Sequence, residues 1–305
     1  MHVLYADRPF PPAYLDLIEG RATIVGPDDG FDIAEAAIAG GQRWDAAEMD
    51  RFSRLRVISR LGIGVDNVDA DAATARSIVI RNTPEAPTVS TAEHAVALML
   101  AVARNLPGER ERARAGTWGA AMPIAALELD GCTLGLVGFG RIARRVATVG
   151  RALGMTVIAT DPFLLAPPTD TIELVDLDEV WRRSDVVSLH APATEATRHL
   201  VNATSLAAMK PGARLINCAR GASSIRLLLA ALDAGQLAGA GLDVTDPEPL
   251  PVDHPLLRHE RVIVTPHRAV DGRRAAALRP RHRQRAGRVG RLSRSNLSGW
   301  SFDRW

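Results

Sequence analysis

Three polar side chains fall just beyond apolar runs that read as β-strands: Arg220 in NCARG, Glu248 in GLDVTDPEP and His267 in VTPH. Together they are the set that hydride chemistry on a 2-keto or 2-hydroxy acid would need. A guanidinium grips a carboxylate with two parallel donors. An imidazole gives and takes a proton near neutral pH. A carboxylate beside the ring orients it and favours its charged form. Singly, each has an ordinary explanation: a solvated Arg, a loop Glu between prolines, a His capping a turn. Their arrival in order behind a nucleotide fold raises all three. No Ser–His–Asp context and no His/Cys metal spacing competes with them.

That nucleotide fold is carried by Cys132–Asp161, CTLGLVGFGRIARRVATVGRALGMTVIATD. It reads as a strand (Thr133–Val137), a glycine turn, a helix through about Leu153 and a second strand (Thr156–Thr160). A βαβ unit of about 30 residues is what a dinucleotide fingerprint requires. Gly138 permits the tight turn, and Gly140 removes the side chain that would keep a diphosphate off the backbone. Ala143 stands at the third position, small enough for close helix–strand packing. The N–H groups opening the helix then hold the phosphates. Asp161, 23 residues after Gly138, sits where a carboxylate accepts from ribose hydroxyls. It favours NAD over NADP, because a ribose phosphate would meet like charge.

The rest of the chain must position these groups. With 305 residues there is room for two domains. The first hundred residues alternate strand and helix: strands at His2–Tyr5, Ala22–Val25, Leu55–Ser59 and Ser77–Ile80, helices at Pro12–Glu19, Phe31–Ala39 and Val68–Arg76. A long apolar helix follows over Thr91–Asn105, with Ser90 or Thr91 as its N-cap and His94 as a packed or capping residue. Leu106–Leu129 reads as irregular. After Asp161 come strands at Thr171–Val175, Asp185–Leu189, Ala213–Asn217, Ala238–Val244 and Arg261–Thr265, with helices at Leu177–Arg183, Ala203–Met209 and Ile225–Ala234. This density gives a doubly wound parallel sheet whose ligands bind at the carboxyl ends of its strands.

No apolar run is long enough to span a bilayer, and Met1–Phe10 lacks a secretory pattern. Cys132 and Cys218, in predicted strands, suggest no disulfide framework, so a cytoplasmic setting fits. The net charge of +2 hides an asymmetry: from Arg268 onward there are eleven arginines against two aspartates. Lys210 is the sole lysine of the chain.

The ordered text RLGIGVDNVD, TVSTAEHAVALML, LGLVGFGRIARRVA, ATDP, LHAPATEATRHL, MKPGARLINCARG, AGAGLDV…EP and VTPH, covering roughly Leu55 to His267, resembles the D-isomer-specific 2-hydroxyacid dehydrogenases, the family of phosphoglycerate dehydrogenase. The resemblance implies a Rossmann nucleotide domain (99–268) and a smaller flavodoxin-like α/β substrate domain (1–98), with 269–305 nominally returning to the latter. It implies an NAD-dependent oxidoreductase interconverting a 2-keto acid and a D-2-hydroxy acid, and a homodimer built on the Thr91–Asn105 helix and the βαβ unit. Arg220 would bind the substrate carboxylate and carbonyl. His267 would be the proton donor, Glu248 its partner, and the backbone of Leu61, Gly62, Ile63 and Gly64 a second grip on the carboxylate. Cofactor contacts would come from Gly138, Gly140, Arg141, Ile142, Asp161, Cys218, Ala219 and Asp243. A second reading is an NAD(H)-sensing binding protein similar to the C-terminal-binding-protein corepressors.

Two departures from the family pattern stand out. After Arg220 the text GASSIRLLLAAL is one residue short and lacks the usual aspartate. Beyond His267 the expected amphipathic helix is replaced by an arginine-rich run that Pro280 interrupts. Its composition resembles translation in a shifted reading frame. A nucleic-acid-binding tail is the charge-based alternative, but it lacks interleaved aromatics and a binding fold.

Overall fold

The computed structural model describes residues 2–10, 12–85, 87–118, 126–167, 169–221 and 224–269. It divides into two units at Pro87/Thr88. The expected return of the segment beyond residue 269 to the substrate domain lies outside the described residues.

In the first unit, β1 (His2–Ala6), β2 (Ala22–Val25), β3 (Ala36–Ala39), β4 (Val57–Arg60) and β5 (Val79–Asn82) form a parallel sheet in the order β2-β1-β3-β4-β5. This is the flavodoxin order, with its reversal between β1 and β3. The short helices α1 (Ala46–Asp50) and α2 (Ala70–Ala75) are capped by Asp45 and Asp69, whose carboxylates accept from Glu48 N and Ala72 N. The core is aromatic: Tyr5 meets Phe52 at 5.0 Å and Trp44 at 5.8 Å, both edge-on. Such pairs add roughly 0.5–1.5 kcal/mol each beyond the area they bury.

One element departs from expectation here. Phe31–Ala39 is not a helix; a 3-10 turn (Phe31–Ile33) precedes β3, an interior strand. Its alanines favour a helix by only a few tenths of a kcal/mol per residue. Pairing with β1 on one side and β4 on the other outweighs that, and Ala37 and Ala39 are fully buried. Pro12–Glu19 likewise forms only a 3-10 helix, Pro12–Leu17.

The second unit is a seven-stranded parallel sheet. Its strands are β6 (Thr133–Val137), β7 (Thr156–Thr160), β8 (Glu173–Leu174), β9 (Val186–Leu189), β10 (Ala213–Asn217), β11 (Leu237–Leu242) and β12 (Val262–Val264). The order β12-β11-β10-β9-β6-β7-β8 is the Rossmann order, reversing between β6 and β9. Six helices belong to this unit among its described residues: α3 (Thr88–Ala103), α4 (Leu106–Arg114), α5 (Arg141–Ala152), α6 (Leu177–Arg183), α7 (Ala203–Ala208) and α8 (Ile225–Asp233). Strands β9 and β10 are buried at every position, as both-faced coverage demands.

Helix α3 lies tightly on β11. A Cβ added to Gly241 would come within 2.9 Å of Leu98 Cβ, and one on Gly239 within 2.7 Å of Val102 Cγ1. The helix begins at Thr88, so Ser90 and Thr91, expected as caps, lie inside it; burial of Thr88 and Thr91 extends it backward. The boundary expected at residue 98/99 therefore falls within α3.

Leu106–Leu129 is not wholly irregular, because α4 occupies its first part. That helix carries Glu and Arg around it, with an Arg114–Glu111 pair at 3.2 Å and no buried residue, so it shows no apolar period. The cysteines are free thiols that flank strands instead of lying in them: Cys132 precedes β6 and Cys218 follows β10. Among the described residues no helix is long and apolar enough to cross a membrane.

Candidate active site

The glycine turn between β6 and α5 is built as its spacing requires, and its two glycines do different work. Gly138 has φ +85°, and a Cβ there would meet Ala191 N at 2.9 Å and the His190 carbonyl carbon at 3.0 Å. Gly140 has an ordinary φ of −76°, and a Cβ there would meet nothing within 4 Å. Its missing side chain thus keeps space open above the turn. Gly140 caps α5 without any side-chain bond, and the first turn holds no acidic residue. The helix therefore turns its first N–H groups and the positive end of its dipole to that space, at Arg141 and Ile142. Ala143 is fully buried beneath them.

Asp161 closes the other side. Its Oδ2 accepts from Phe139 N at 2.8 Å and its Oδ1 from Phe163 N at 3.0 Å, so the carboxylate is pinned at the mouth of the turn. A cavity of about 510 Å³ opens there, lined by Gly138, Asp161, Leu174, Val175, Ala191 and Leu200 among others. Its walls are mostly apolar, with Asp161, Asp176 and Glu179 as the carboxylates among them, and they fit an adenine and its ribose beside the glycine turn.

Also at the carboxyl ends of the strands, beyond β11 and β12, Glu248 and His267 meet. His267 Nδ1 lies 2.8 Å from Glu248 Oε1, both side chains a little over two-fifths exposed. A carboxylate on Nδ1 places the Nδ1 hydrogen toward Glu248 and leaves Nε2 to exchange a proton; among the described residues nothing bonds Nε2. His267 holds φ +51°, a left-handed conformation that costs a non-glycine residue on the order of 1 kcal/mol. Its N–H donates to Asp243 O and Thr265 O, each at 2.9 Å, which offsets that cost.

Asp243 is a clamp. Its carboxylate is fully buried and accepts from Thr265 Oγ1 (2.6 Å), Arg268 N (2.8 Å) and Ala269 N (2.9 Å). It thereby ties the end of β11 to the segment carrying His267. The Cys218 thiol nearby is pushed up to about 12 by burial, with the Asp243 charge adding to it, so it stays protonated.

Arg220 follows β10, the neighbour of β11. Asn217, fully buried, shapes its loop: Asn217 Nδ2 donates to Arg220 O at 2.7 Å, and Asn217 Oδ1 accepts from Ala219 N at 3.0 Å. Gly221 packs on the Glu248 loop so closely that a Cβ would meet Asp246 Cβ at 2.8 Å. The altered text after Gly221 lies partly outside the described residues. Arg220, Glu248 and His267 thus leave three adjacent strands at their carboxyl ends.

In the first unit, the loop Leu61–Gly64 leaves the carboxyl end of β4. Gly62 has φ +130°, and its N–H donates to Thr83 Oγ1 at 2.9 Å. Asn82 Nδ2 donates to Ile63 O at 2.7 Å, while Leu61 and Ile63 stay exposed.

Residues 96–269 match the model of the D-isomer specific 2-hydroxyacid dehydrogenase NAD binding domain. The chain belongs to the D-isomer-specific 2-hydroxyacid dehydrogenase family. It is 43 % identical over 218 residues to the D-3-phosphoglycerate dehydrogenase of Synechocystis, a match covering 70 % of this chain and 39 % of that protein. The matched stretch spans only about two-fifths of that phosphoglycerate dehydrogenase. The hydroxypyruvate reductase of Thermotoga maritima is 43 % identical over 218 residues, 70 % of each chain. Among solved structures, D-lactate dehydrogenase from Aquifex aeolicus complexed with NAD and lactic acid superposes with a TM-score of 0.77 at 30 % identity, covering 88 % of this chain and 89 % of that one.

Two residues beside these groups carry little mark in the sequence. Asn217 was visible only as a strand-end Asn, the type that bonds its own turn. His94 reads as a packed or capping residue, yet its Nε2 lies 2.8 Å from Thr265 Oγ1 and 3.3 Å from Asp243 Oδ1. A lone imidazole in a mostly apolar helix is the available signal.

Proposed function

We propose that this chain is an NAD-dependent oxidoreductase that interconverts a small 2-keto acid and the corresponding D-2-hydroxy acid. The Glu248–His267 pair at 2.8 Å, set on the same strand edge as the glycine turn, carries this reading. Bound NADH would supply the hydride. His267 Nε2 would give its proton to the carbonyl oxygen as the alcohol forms, with Glu248 steadying the imidazolium left in the oxidation direction. Arg220 would hold the carboxylate and the reacting carbonyl. Gly138, Gly140, Arg141 and Ile142 would cradle the diphosphate, Asp161 the ribose, and Cys218 and Ala219 the nicotinamide side. Asp243 would sit near the carboxamide, chiefly through the loop it clamps.

The names of the relatives support this class and frame the choice of acid: hydroxypyruvate, pyruvate and 3-phosphohydroxypyruvate are the first to test. A homodimer fits the exposed Leu100 on α3 and Val149 on α5, and two free thiols fit a reducing, cytoplasmic setting. NADH oxidation followed by its absorbance with a panel of 2-keto acids tests the reading. Turnover on at least one acid, abolished in His267→Ala while NADH still binds, is the expected result. Saturable NADH binding with no turnover on any acid would leave a sensor instead.

A further inference from the structure

The hydrogen bonds beneath His267 do not end at Asp243. Thr265 has one hydroxyl proton and gives it to Asp243 Oδ1 at 2.6 Å. The contact at 2.8 Å between Thr265 Oγ1 and His94 Nε2 must then be a bond in which His94 donates. That fixes a hydrogen on His94 Nε2 and makes a directed chain: His94 to Thr265 to Asp243. Asp243 in turn holds Arg268 N and Ala269 N, and its backbone carbonyl holds His267 N. The segment on both sides of His267 is therefore fastened to one buried carboxylate, whose own orientation is set from α3. His94 side-chain exposure is 23 %, so the donor sits in a partly enclosed environment where such bonds resist competition from water.

A packing role alone does not account for this geometry. An apolar residue would fill the same face of α3, which otherwise packs Leu98 and Val102 on β11. We propose that His94 is a positioning residue for His267: it orients Thr265 and Asp243 so that the left-handed His267 backbone presents its ring to Glu248 and to the reacting oxygen. The inference rests on the dehydrogenase reading above, with His267 as acid and base. A proton donor displaced by about 1 Å loses about a hundredfold in rate. Loss of the chain's first link should therefore appear in kcat and not in binding.

The test compares His94→Leu, which removes the donor, with His94→Gln, whose amide N–H reaches about as far as an imidazole Nε2–H. In His94→Leu, kcat should fall about ten- to a hundredfold while NADH affinity and the keto-acid KM hold; His94→Gln should recover most of the loss. Thr265→Val cuts the next link, so the double variant with His94→Leu should be no slower than the worse single one. A lowered Tm with unchanged kcat in His94→Leu, or equal losses in the Leu and Gln variants, would overturn the proposal, as would multiplying losses in the double variant. Should His94→Leu fail to fold, Thr265→Val and His94→Gln carry the same comparison. The ring-proton NMR signals of His267, assigned by their disappearance in His267→Ala, give a readout free of turnover. They should move in Thr265→Val and His94→Leu and stay in place in His94→Gln; coincident spectra would sink the idea even if no substrate is found. An inactive wild type with those shifts present would count against the dehydrogenase reading alone.

Discussion

Glu248 and His267 stand 19 residues apart in the chain and 2.8 Å apart in space, because β11 and β12 run parallel and end together. The contact needs only that adjacency and the clamp of Asp243 on the segment after β12. It follows that the two side chains can be removed without dismantling the sheet. His267→Ala should lower kcat/KM for the keto acid by about 10²–10⁴-fold, the range general acid–base groups supply. Glu248→Gln keeps a hydrogen-bond acceptor but not the charge, so its loss should be smaller. Steady-state NADH oxidation gives both numbers, and retained NADH binding in each variant shows that the loss lies in chemistry. Equal activity of His267→Ala and wild type would remove this residue from the mechanism.

The two glycines of the turn make a paired experiment. Gly138→Ala puts a Cβ at φ +85° and within 2.9 Å of backbone, so it should cost about 2 kcal/mol or more of folding stability. Gly140→Ala meets neither strain nor clash, but alanine is a poorer N-cap than glycine, so its stability should fall by about 1 kcal/mol, well short of the loss in Gly138→Ala. Its methyl group instead fills the space proposed for the diphosphate, so NADH should bind much more weakly. Urea melts and NADH titrations on both variants separate the effects. A Gly140→Ala protein with wild-type NADH affinity would place the diphosphate elsewhere.

Asp161 is held by two backbone N–H groups and so offers its charge in a fixed direction. A charged carboxylate accepting from ribose hydroxyls contributes on the order of 1.5–3 kcal/mol, and it repels a phosphate on the same sugar. Asp161→Ser should weaken NADH binding by about tenfold or more and narrow the preference over NADPH. Parallel titrations with the two nucleotides measure this. An unchanged ratio would show that preference is set by other groups.

Much of this was legible in the sequence because the signals were local. The Cys132–Asp161 unit has strand, turn, helix and acid in one run, and the structure reproduces their bounds to within a residue or two. Arg220, Glu248 and His267 could be placed at strand ends because each follows a continuous apolar run. What was illegible depended on distance. β3 is a strand because β1 and β4 lie on either side of it, which no property of AAIA announces. α4 is polar all round, so no period betrays it. His94 acquires its partners from β11 and β12, some 150 and more residues away, and a single imidazole in α3 cannot name them.

His190 gives the last prediction, one of stability against pH. It ends β9 beside the glycine turn, its N–H on Val137 O at 2.8 Å and its Nε2 2.9 Å from Ser188 Oγ. Burial lowers its pKa from the ordinary 6.5 to about 4, so the folded protein keeps the ring neutral. The unfolded chain takes up a proton below pH 6.5 that the fold refuses until about pH 4. Stability from this residue is therefore complete above pH 6.5 and declines as pH falls through that window, by on the order of 3 kcal/mol in total. In urea titrations at pH 7 and pH 5, His190→Asn should lose roughly 2 kcal/mol less than wild type over the same interval, since Asn has no proton to gain. Parallel declines in the two proteins would mean that the ring is protonated in the fold as readily as in water.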